Sequence, residues 1–140
     1  MEQTTMLKFY AKLWLVLVLT LGQAALTNAD DTKESFLQDV SAKEAAKLIE
    51  QNPDIIILDV RTPLEFRVSH IDNAINVNFY SFSFKEQIKK LDPTKTYLLH
   101  CQRGVRSGKT IPIMQEAGFT KIYHLNKGFK AWKNAELPTT

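Results

Sequence analysis

Residues 97–107 read YLLHCQRGVRS and carry the chain from an apolar, strand-like run through a short loop into a predicted helix. Cys101, the one cysteine among 140 residues, stands at the end of that run. The loop that follows supplies two arginine side chains, unpaired backbone amides and a helix N-terminus. Each of these carries a positive charge or a partial positive charge. Because such a field lowers the pKa of a thiol and favours the nucleophilic thiolate, the stretch predicts a reactive cysteine rather than a core one.

Strand-like and helix-like segments alternate along the rest of the chain. Apolar runs predict four strands, at residues 55–58, 74–77, 96–100 and 121–125. Other segments, two of which open with capping boxes, predict five helices, at residues 41–51, 62–69, 82–91, 107–117 and 128–134. This alternation indicates an α/β fold with a central parallel sheet and helices on both faces. Ligands of such folds bind beyond the carboxyl ends of the strands, where Asp59, Arg61 and Cys101 stand.

The first 29 residues have the outline of a secretory signal peptide. Lys8 and Lys12 form a basic region, residues 13–21 an apolar core, and Ala29 a small residue at the cleavage position. An uncleaved anchor is the minor alternative, because the apolar run is shorter than the ~20 residues that span a bilayer. We therefore expect export to the periplasm, or secretion, with no stable membrane insertion after cleavage.

Behind this segment the sequence predicts a polar lead-in at residues 30–40 and a single domain at residues 41–138. Hydrophobic residues make up 44% of the chain and charged residues 24%, which is an ordinary globular mixture. The net charge is only +3 and the lysines alternate with acids, so a nucleic-acid partner is disfavoured. Nothing in the sequence fixes the oligomeric state.

Four segments, in this order, resemble the single-domain rhodaneses, which are thiosulfate sulfurtransferases. They are ILDVRTPLEF at 57–66, SHIDNAIN at 69–76, CQRGVRS at 101–107, and GFKAW at 128–132 with Leu137-Pro138 behind it. The resemblance implies the rhodanese-like three-layer fold for nearly all of the chain behind the signal peptide. Ser69, Asn73 and Glu136 stand where the family usually has glycine, and asparagine still tolerates a left-handed backbone.

The resemblance also implies a two-step sulfur transfer through Cys101. The thiolate would take the outer sulfur of a small anionic donor such as thiosulfate, and a thiol or cyanide would then remove it from the persulfide, without a cofactor. The loop amides form a nest for an anion. The candidate donor-binding residues are Gln102, Arg103, Gly104, Val105 and Arg106. The candidate supporting residues are Ser107, as a helix cap that also bonds the sulfur, and the pair Asp59 and Arg61.

The other side chains of note are predicted to be structural. Glu65 is interpreted as a helix cap, and His70 as a residue with local hydrogen bonds. His100 precedes the cysteine, but neighbours on a strand point to opposite faces, so it is not assigned as the base. His124 is expected in the core or at its rim, and Pro112 is expected to kink or shorten its helix. No spacing of histidine, cysteine and aspartate indicates a metal site.

Three other functions use a cysteine in a similar place. Phosphatases and arsenate reductases of related fold have His-Cys, five residues and then Arg, whereas four residues separate Cys101 from Arg106. The smaller cradle suits a sulfur atom better than a tetrahedral oxyanion. A persulfide carrier or partner-binding module stays open as an alternative, because an intact cysteine does not separate it from an enzyme. A thiol–disulfide oxidoreductase is disfavoured, since the chain has no second cysteine to resolve a disulfide.

Overall fold

The computed structural model describes residues 35–140, whose strands form one parallel sheet. In chain order the strands are β1 (Phe36–Val40), β2 (Ile56–Asp59), β3 (Ile75–Asn76), β4 (Thr96–His100) and β5 (Lys121–Leu125). They lie side by side in the order β1-β5-β4-β2-β3. Every neighbouring pair is parallel, so the carboxyl ends of all strands share one edge of the sheet. β4, which leads into Cys101, lies at the centre of the sheet.

Helices follow the strands along this part of the chain. They are α1 (Ala42–Gln51), α2 (Pro63–Val68), α3 (Phe84–Lys89), α4 (Val105–Glu116) and α5 (Gly128–Asn134). Both predicted capping boxes are formed. At the start of α1 the side chains of Ser41 and Glu44 each accept a hydrogen bond from the other residue's backbone N–H, and Thr62 and Glu65 do the same before α2.

The apolar side chains of the sheet divide between its two faces. On one face Leu99 belongs to a core cluster with Met114 of α4 and with residues of α3. On the other face Leu98 belongs to a second cluster with Trp132 of α5 and with residues of α1. Successive residues of a strand point to opposite faces, so the central strands are apolar throughout because both faces are covered. The predicted three-layer fold with helices on both faces is confirmed.

Residues 36–40 form a strand where the sequence predicts a lead-in. β1 pairs with β5 along its whole length, from Phe36 opposite Lys121 to Val40 opposite Leu125. Three of its five side chains are exposed, so the segment lacks the apolar run from which a strand is predicted. Its place at the edge of the sheet depends on backbone hydrogen bonds. The predicted lead-in at 30–40 is therefore wrong over residues 36–40.

Two helices differ from their predicted bounds. α4 begins at Val105 instead of residue 107, because Gly104, with φ at 94°, takes the N-cap position. The helix runs through Pro112 to Glu116, so the proline does not shorten it. α3 is shorter than the predicted range 82–91, and Phe82 lies fully exposed before it.

The predicted signal peptide at residues 1–29 lies outside the described residues. Among residues 35–140, no helix has the length and apolar character needed to cross a membrane.

Candidate active site

The chain turns from β4 into α4 around the sulfur of Cys101, whose side chain is 1% exposed. Sγ accepts a hydrogen bond from the backbone N–H of Gly104 at 3.1 Å and one from the hydroxyl of Ser107 at 3.4 Å. A Cβ at Gly104 would lie 1.8 Å from the carbonyl oxygen of Asn126, so the turn requires glycine. The sulfur therefore lies in a tight cradle of hydrogen-bond donors.

Hydrogen bonds set the ionisation of this thiol. Burial raises the pKa of Cys101, and hydrogen bonds from the Ser107 hydroxyl and from the amides of Ser107, Arg103 and Gly104 outweigh that effect. The pKa of Cys101 consequently lies below its ordinary value, which agrees with the expectation from the sequence. The donors responsible are a hydroxyl and backbone amides, whereas the sequence also pointed to the guanidinium charges.

The guanidinium of Arg106 is paired with the carboxylate of Glu65 and is therefore not free beside the sulfur. Its two terminal nitrogens donate to the two oxygens of Glu65, at 2.7 and 2.8 Å. This bidentate bond from Arg106, helped by the capping bonds of Thr62, lowers the pKa of Glu65 from 4.5 to about 2. The same pair raises the pKa of Arg106 above its ordinary value. Glu65 is a helix cap, as predicted, and also ties α2 to the start of α4, which the sequence did not indicate.

Asp59 and Arg61 form a buried pair at the end of β2. Nη2 of Arg61 lies 2.7 Å from Oδ2 of Asp59, and their side chains are 2% and 0% exposed. The same guanidinium donates to the carbonyl oxygen of Ser69 at 2.8 Å and to Oε1 of Gln102 at 3.2 Å. It also lies over the ring of Phe129, 4.0 Å from its centre. The pair thus joins β2, α2 and the cysteine loop, which is the supporting position expected for it.

The start of α5 holds the cysteine loop from the other side. The N–H of Phe129 donates to the carbonyl oxygen of Cys101 at 2.7 Å, and the N–H of Lys130 to that of Gln102 at 3.0 Å. Gly128 has φ at 65°, and a Cβ there would lie 2.5 Å from the Cys101 carbonyl oxygen. The GFKAW segment therefore fixes the backbone of the loop, a contact that the sequence alone does not reveal.

Ser107 and His124 lie together behind the sulfur. Ser107 is the third residue of α4 and not its cap, so the predicted capping role is wrong, while the predicted bond to sulfur is present. Its hydroxyl lies 2.9 Å from Nε2 of His124. Nδ1 of that ring lies 2.9 Å from Oδ1 of Asp39 on β1. His124 is 7% exposed, as predicted for a core or rim residue, but its contact with Ser107 was not foreseen.

A groove of about 560 Å³ lies beside the loop. Leu64 and Val68 of α2, 66% and 78% exposed, form part of its lining together with Gln102 and Lys133. Arg103 of the loop is exposed, and its side chain makes no hydrogen bond or ion pair within residues 35–140. The approach to the site therefore combines apolar and cationic surface.

The family model of the Rhodanese-like domain matches residues 41–135. The chain belongs to the rhodanese family. Among its relatives, the thiosulfate sulfurtransferase GlpE of Coxiella burnetii is 34% identical over 101 residues, which make up 72% of this chain and 91% of that protein. The probable adenylyltransferase/sulfurtransferase MoeZ of Mycobacterium tuberculosis is 29% identical over 111 residues, 79% of this chain. This rhodanese chain spans only 28% of MoeZ.

Solved structures agree with the rhodanese-like fold. A rhodanese-related protein from Thermoplasma volcanium superposes with a TM-score of 0.64 at 24% identity, over 74% of this chain and 97% of that one. Rv0390 from M. tuberculosis superposes with a TM-score of 0.66 at 20% identity, over 76% and 98% of the two chains. Identities this low support the fold and not a shared activity.

The other two histidines of this rhodanese domain make no hydrogen bond to the sulfur within residues 35–140. His100 is completely buried, and burial lowers the pKa of its ring. Its Nδ1 lies 3.2 Å from the Cys101 carbonyl oxygen, which agrees with the expectation that it is not the base. His70 makes the expected local contact, with Nδ1 2.9 Å from the Phe66 carbonyl oxygen. No group of three or more potential metal-binding side chains converges within residues 35–140.

Because of the Glu65–Arg106 pair, we expect the free energy of unfolding of this protein to depend on pH in a specific way. Because the folded state lowers the pKa of Glu65 to about 2, its stabilising effect is complete above about pH 4.5 and is lost as the pH falls towards 2. Glu65→Gln should lower the free energy of unfolding at pH 7 by about 1–2 kcal/mol. It should also flatten the decline in stability between about pH 5 and pH 2, measured by urea unfolding across that range.

Glu86→Gln is the matched control, since Glu86 forms an exposed pair with Lys89. That control should shift stability by less than about 0.5 kcal/mol. A Glu65→Gln variant with the wild-type slope between pH 5 and 2 would show that the pair does not stabilise the fold.

Proposed function

We propose that this protein is a sulfurtransferase that moves sulfane sulfur from thiosulfate, or a related anionic donor, to a thiol or cyanide through a persulfide on Cys101. The observation that carries the proposal is the cradle around Sγ, in which Gly104 and Ser107 donate hydrogen bonds and keep the thiol pKa low. A thiolate held in this way is a nucleophile at neutral pH. Membership of the rhodanese family and the likeness to a thiosulfate sulfurtransferase support the same reaction.

The first step forms a bond between Sγ of Cys101 and the outer sulfur of thiosulfate. The sulfur–sulfur bond of the donor breaks, and its electron pair leaves with sulfite. In the second step cyanide or a thiolate attacks the outer sulfur of the persulfide, and the electron pair of that bond returns to Sγ. Cyanide leaves as thiocyanate and the thiolate of Cys101 is restored, so the cycle needs no external oxidant or reductant.

Donors around the sulfur stabilise the negative persulfide between the two steps. The loop backbone is fixed by the start of α5, so its amides are oriented before the substrate arrives. Arg106 is already paired with Glu65, so we assign the attraction of an anionic donor to the exposed guanidinium of Arg103 in the loop. Four residues separate Cys101 from Arg106, one fewer than in the related phosphatases, and this spacing argues against phosphatase chemistry.

The acceptor approaches along the groove that Leu64, Val68 and Lys133 line. Its mixed apolar and cationic surface fits an acidic thiol or a thiol carried by a partner. If residues 1–29 direct export, as the sequence predicts, that thiol lies outside the cytoplasm.

Steady-state kinetics with thiosulfate and cyanide test the proposal. Sulfite leaves before cyanide reacts, so double-reciprocal plots at several cyanide concentrations should give parallel lines, with equal amounts of sulfite and thiocyanate formed. Mercaptopyruvate and glutathione persulfide, tested as donors in the same assay, define the donor class. Release of one equivalent of thiocyanate without turnover would identify a persulfide carrier instead of an enzyme. Cys101-dependent hydrolysis of p-nitrophenyl phosphate, with no thiocyanate formed, would contradict the proposal.

A further inference from the structure

A chain of polar contacts leads from the sulfur to the edge of the sheet. Ser107 Oγ lies 3.4 Å from Sγ of Cys101 and 2.9 Å from Nε2 of His124, and Nδ1 of His124 lies 2.9 Å from Oδ1 of Asp39. Asn126 donates to the other oxygen of Asp39 at 3.3 Å. Ser107 is fully buried and His124 nearly so, which keeps the middle of this series of contacts away from bulk water.

The carboxylate of Asp39 fixes the tautomer of His124. An ionised carboxylate only accepts hydrogen bonds, so the proton of a neutral ring lies on Nδ1. Nε2 is then an acceptor that faces the hydroxyl of Ser107. When the ring is protonated, Nε2 carries a hydrogen as well and becomes a donor to the same hydroxyl.

Ser107 has a single hydroxyl hydrogen and several acceptors within reach. Besides Sγ and Nε2 of His124, the carbonyl oxygen of Gly104 lies 3.0 Å away. A neutral His124 competes with the sulfur for this hydrogen and so weakens the bond from Ser107 to Sγ. A protonated His124 donates to the hydroxyl oxygen and leaves the hydrogen free to turn to Sγ. The charge on the ring therefore changes the strength of the hydrogen bond that the sulfur receives from Ser107.

We propose that Asp39, His124 and Ser107 form a positioning relay that couples the reactivity of Cys101 to the protonation of His124. The proposal rests on the proposed function only in that Cys101 is the reacting group. None of the three residues bonds to substrate. Their action is to hold or release one hydrogen bond on the sulfur, and through it to favour the thiolate when His124 is charged.

Along β1, β4 and α4, the charged group in contact with His124 is Asp39. On β1 the facing group is Asp39, and on β4 the residue aligned with His124 is the apolar Leu99. From α4 the neighbours are Ser107 and Gly108, both uncharged, with Gly108 close to Cε1 of the ring. Within the described part of the chain, the titratable groups on the relay are thus Asp39, His124 and Cys101.

Alkylation of Cys101 by iodoacetamide, measured across pH 5 to 10, tests the relay without any sulfur donor. The chain has one cysteine, so the mass of the peptide that contains it reports that residue alone. We expect two steps in the wild-type profile, one from the thiol and one from His124. His124→Gln keeps a neutral amide donor to Ser107 and should give a single step. His70→Gln, at a histidine whose ring contacts the Phe66 carbonyl oxygen and not the relay, should keep both steps.

Two further variants separate the relay from simple charge proximity. Ser107→Ala removes the sulfur's second donor, so the profile should become a single step that needs about tenfold more hydroxide to reach its midpoint. Asp39→Asn changes a side chain that is 62% exposed and removes the carboxylate that fixes the proton on Nδ1, so it should weaken the His124-dependent step and leave the thiol step in place. A single step in the wild type, two steps in His124→Gln, or an unshifted midpoint in Ser107→Ala would overturn the proposal. Since alkylation needs no thiosulfate, these outcomes stand apart from any failure of sulfur transfer.

Discussion

We expect the Cys101→Ser variant to lose thiosulfate-to-cyanide sulfur transfer by a factor on the order of 10⁴ or more. A serine hydroxyl accepts the same hydrogen bonds from Gly104 and Ser107, but it stays protonated at neutral pH and forms no persulfide. Thiocyanate formation at saturating thiosulfate measures the loss. The fold should be retained, because the replacement is nearly isosteric at a position that is 1% exposed.

The control for this result is the unfolding transition of the same variant. A midpoint in urea close to the wild-type value, together with background turnover, assigns the loss to chemistry. A folded Cys101→Ser protein that still forms thiocyanate at a tenth of the wild-type rate or more would mean that another group carries the sulfur.

Gly128→Ala should strongly destabilise the fold, because it inserts a methyl group where α5 meets the cysteine loop. Its Cβ would lie 2.5 Å from the Cys101 carbonyl oxygen and 2.6 Å from the backbone nitrogen of Arg103, so the start of α5 must move off the loop. The hydrogen bonds from Phe129 and Lys130 to the loop would then weaken. We expect a loss of about 3–4 kcal/mol in the free energy of unfolding and a fall in sulfur transfer of at least about tenfold, since the cradle loses its support.

Gly118→Ala supplies the matched control. Gly118 also has a left-handed backbone, with φ at 88°, but a Cβ there meets nothing within 4 Å. Its replacement carries only the backbone strain, about 1 kcal/mol, and should leave sulfur transfer unchanged. Equal stability losses in the two variants would show that the contact between α5 and the loop does not matter.

Local sequence patterns predicted the starts of two helices and two internal strands correctly. Two capping boxes marked the starts of α1 and α2, and the runs at 96–100 and 121–125 became strands with those bounds. Both faces of these strands are buried, so their residues form an unbroken apolar run. That run is visible in the local sequence and predicts the strand. The cysteine was recognised for a similar reason, since glycine and polar residues directly follow an apolar strand.

The features that the sequence missed depend on residues far apart in the chain. β1 is an edge strand whose exposed Leu37, Gln38 and Asp39 give no apolar pattern, and only its pairing with β5 makes it a strand. Glu65 matches the local pattern of a helix cap, and that pattern does not indicate its additional pairing with Arg106. His124 had no local partner at all. Its contacts with Asp39 and Ser107 form only because β5 places it between them in the fold.

The persulfide on Cys101 is the central claim, and the intact mass of the protein after treatment with thiosulfate tests it most directly. We predict that the wild-type chain gains the mass of one sulfur atom, loses it again on addition of cyanide, and that Cys101→Ser gains nothing. A folded wild-type protein that gains no sulfur, or a Cys101→Ser protein that gains it equally, would contradict the account.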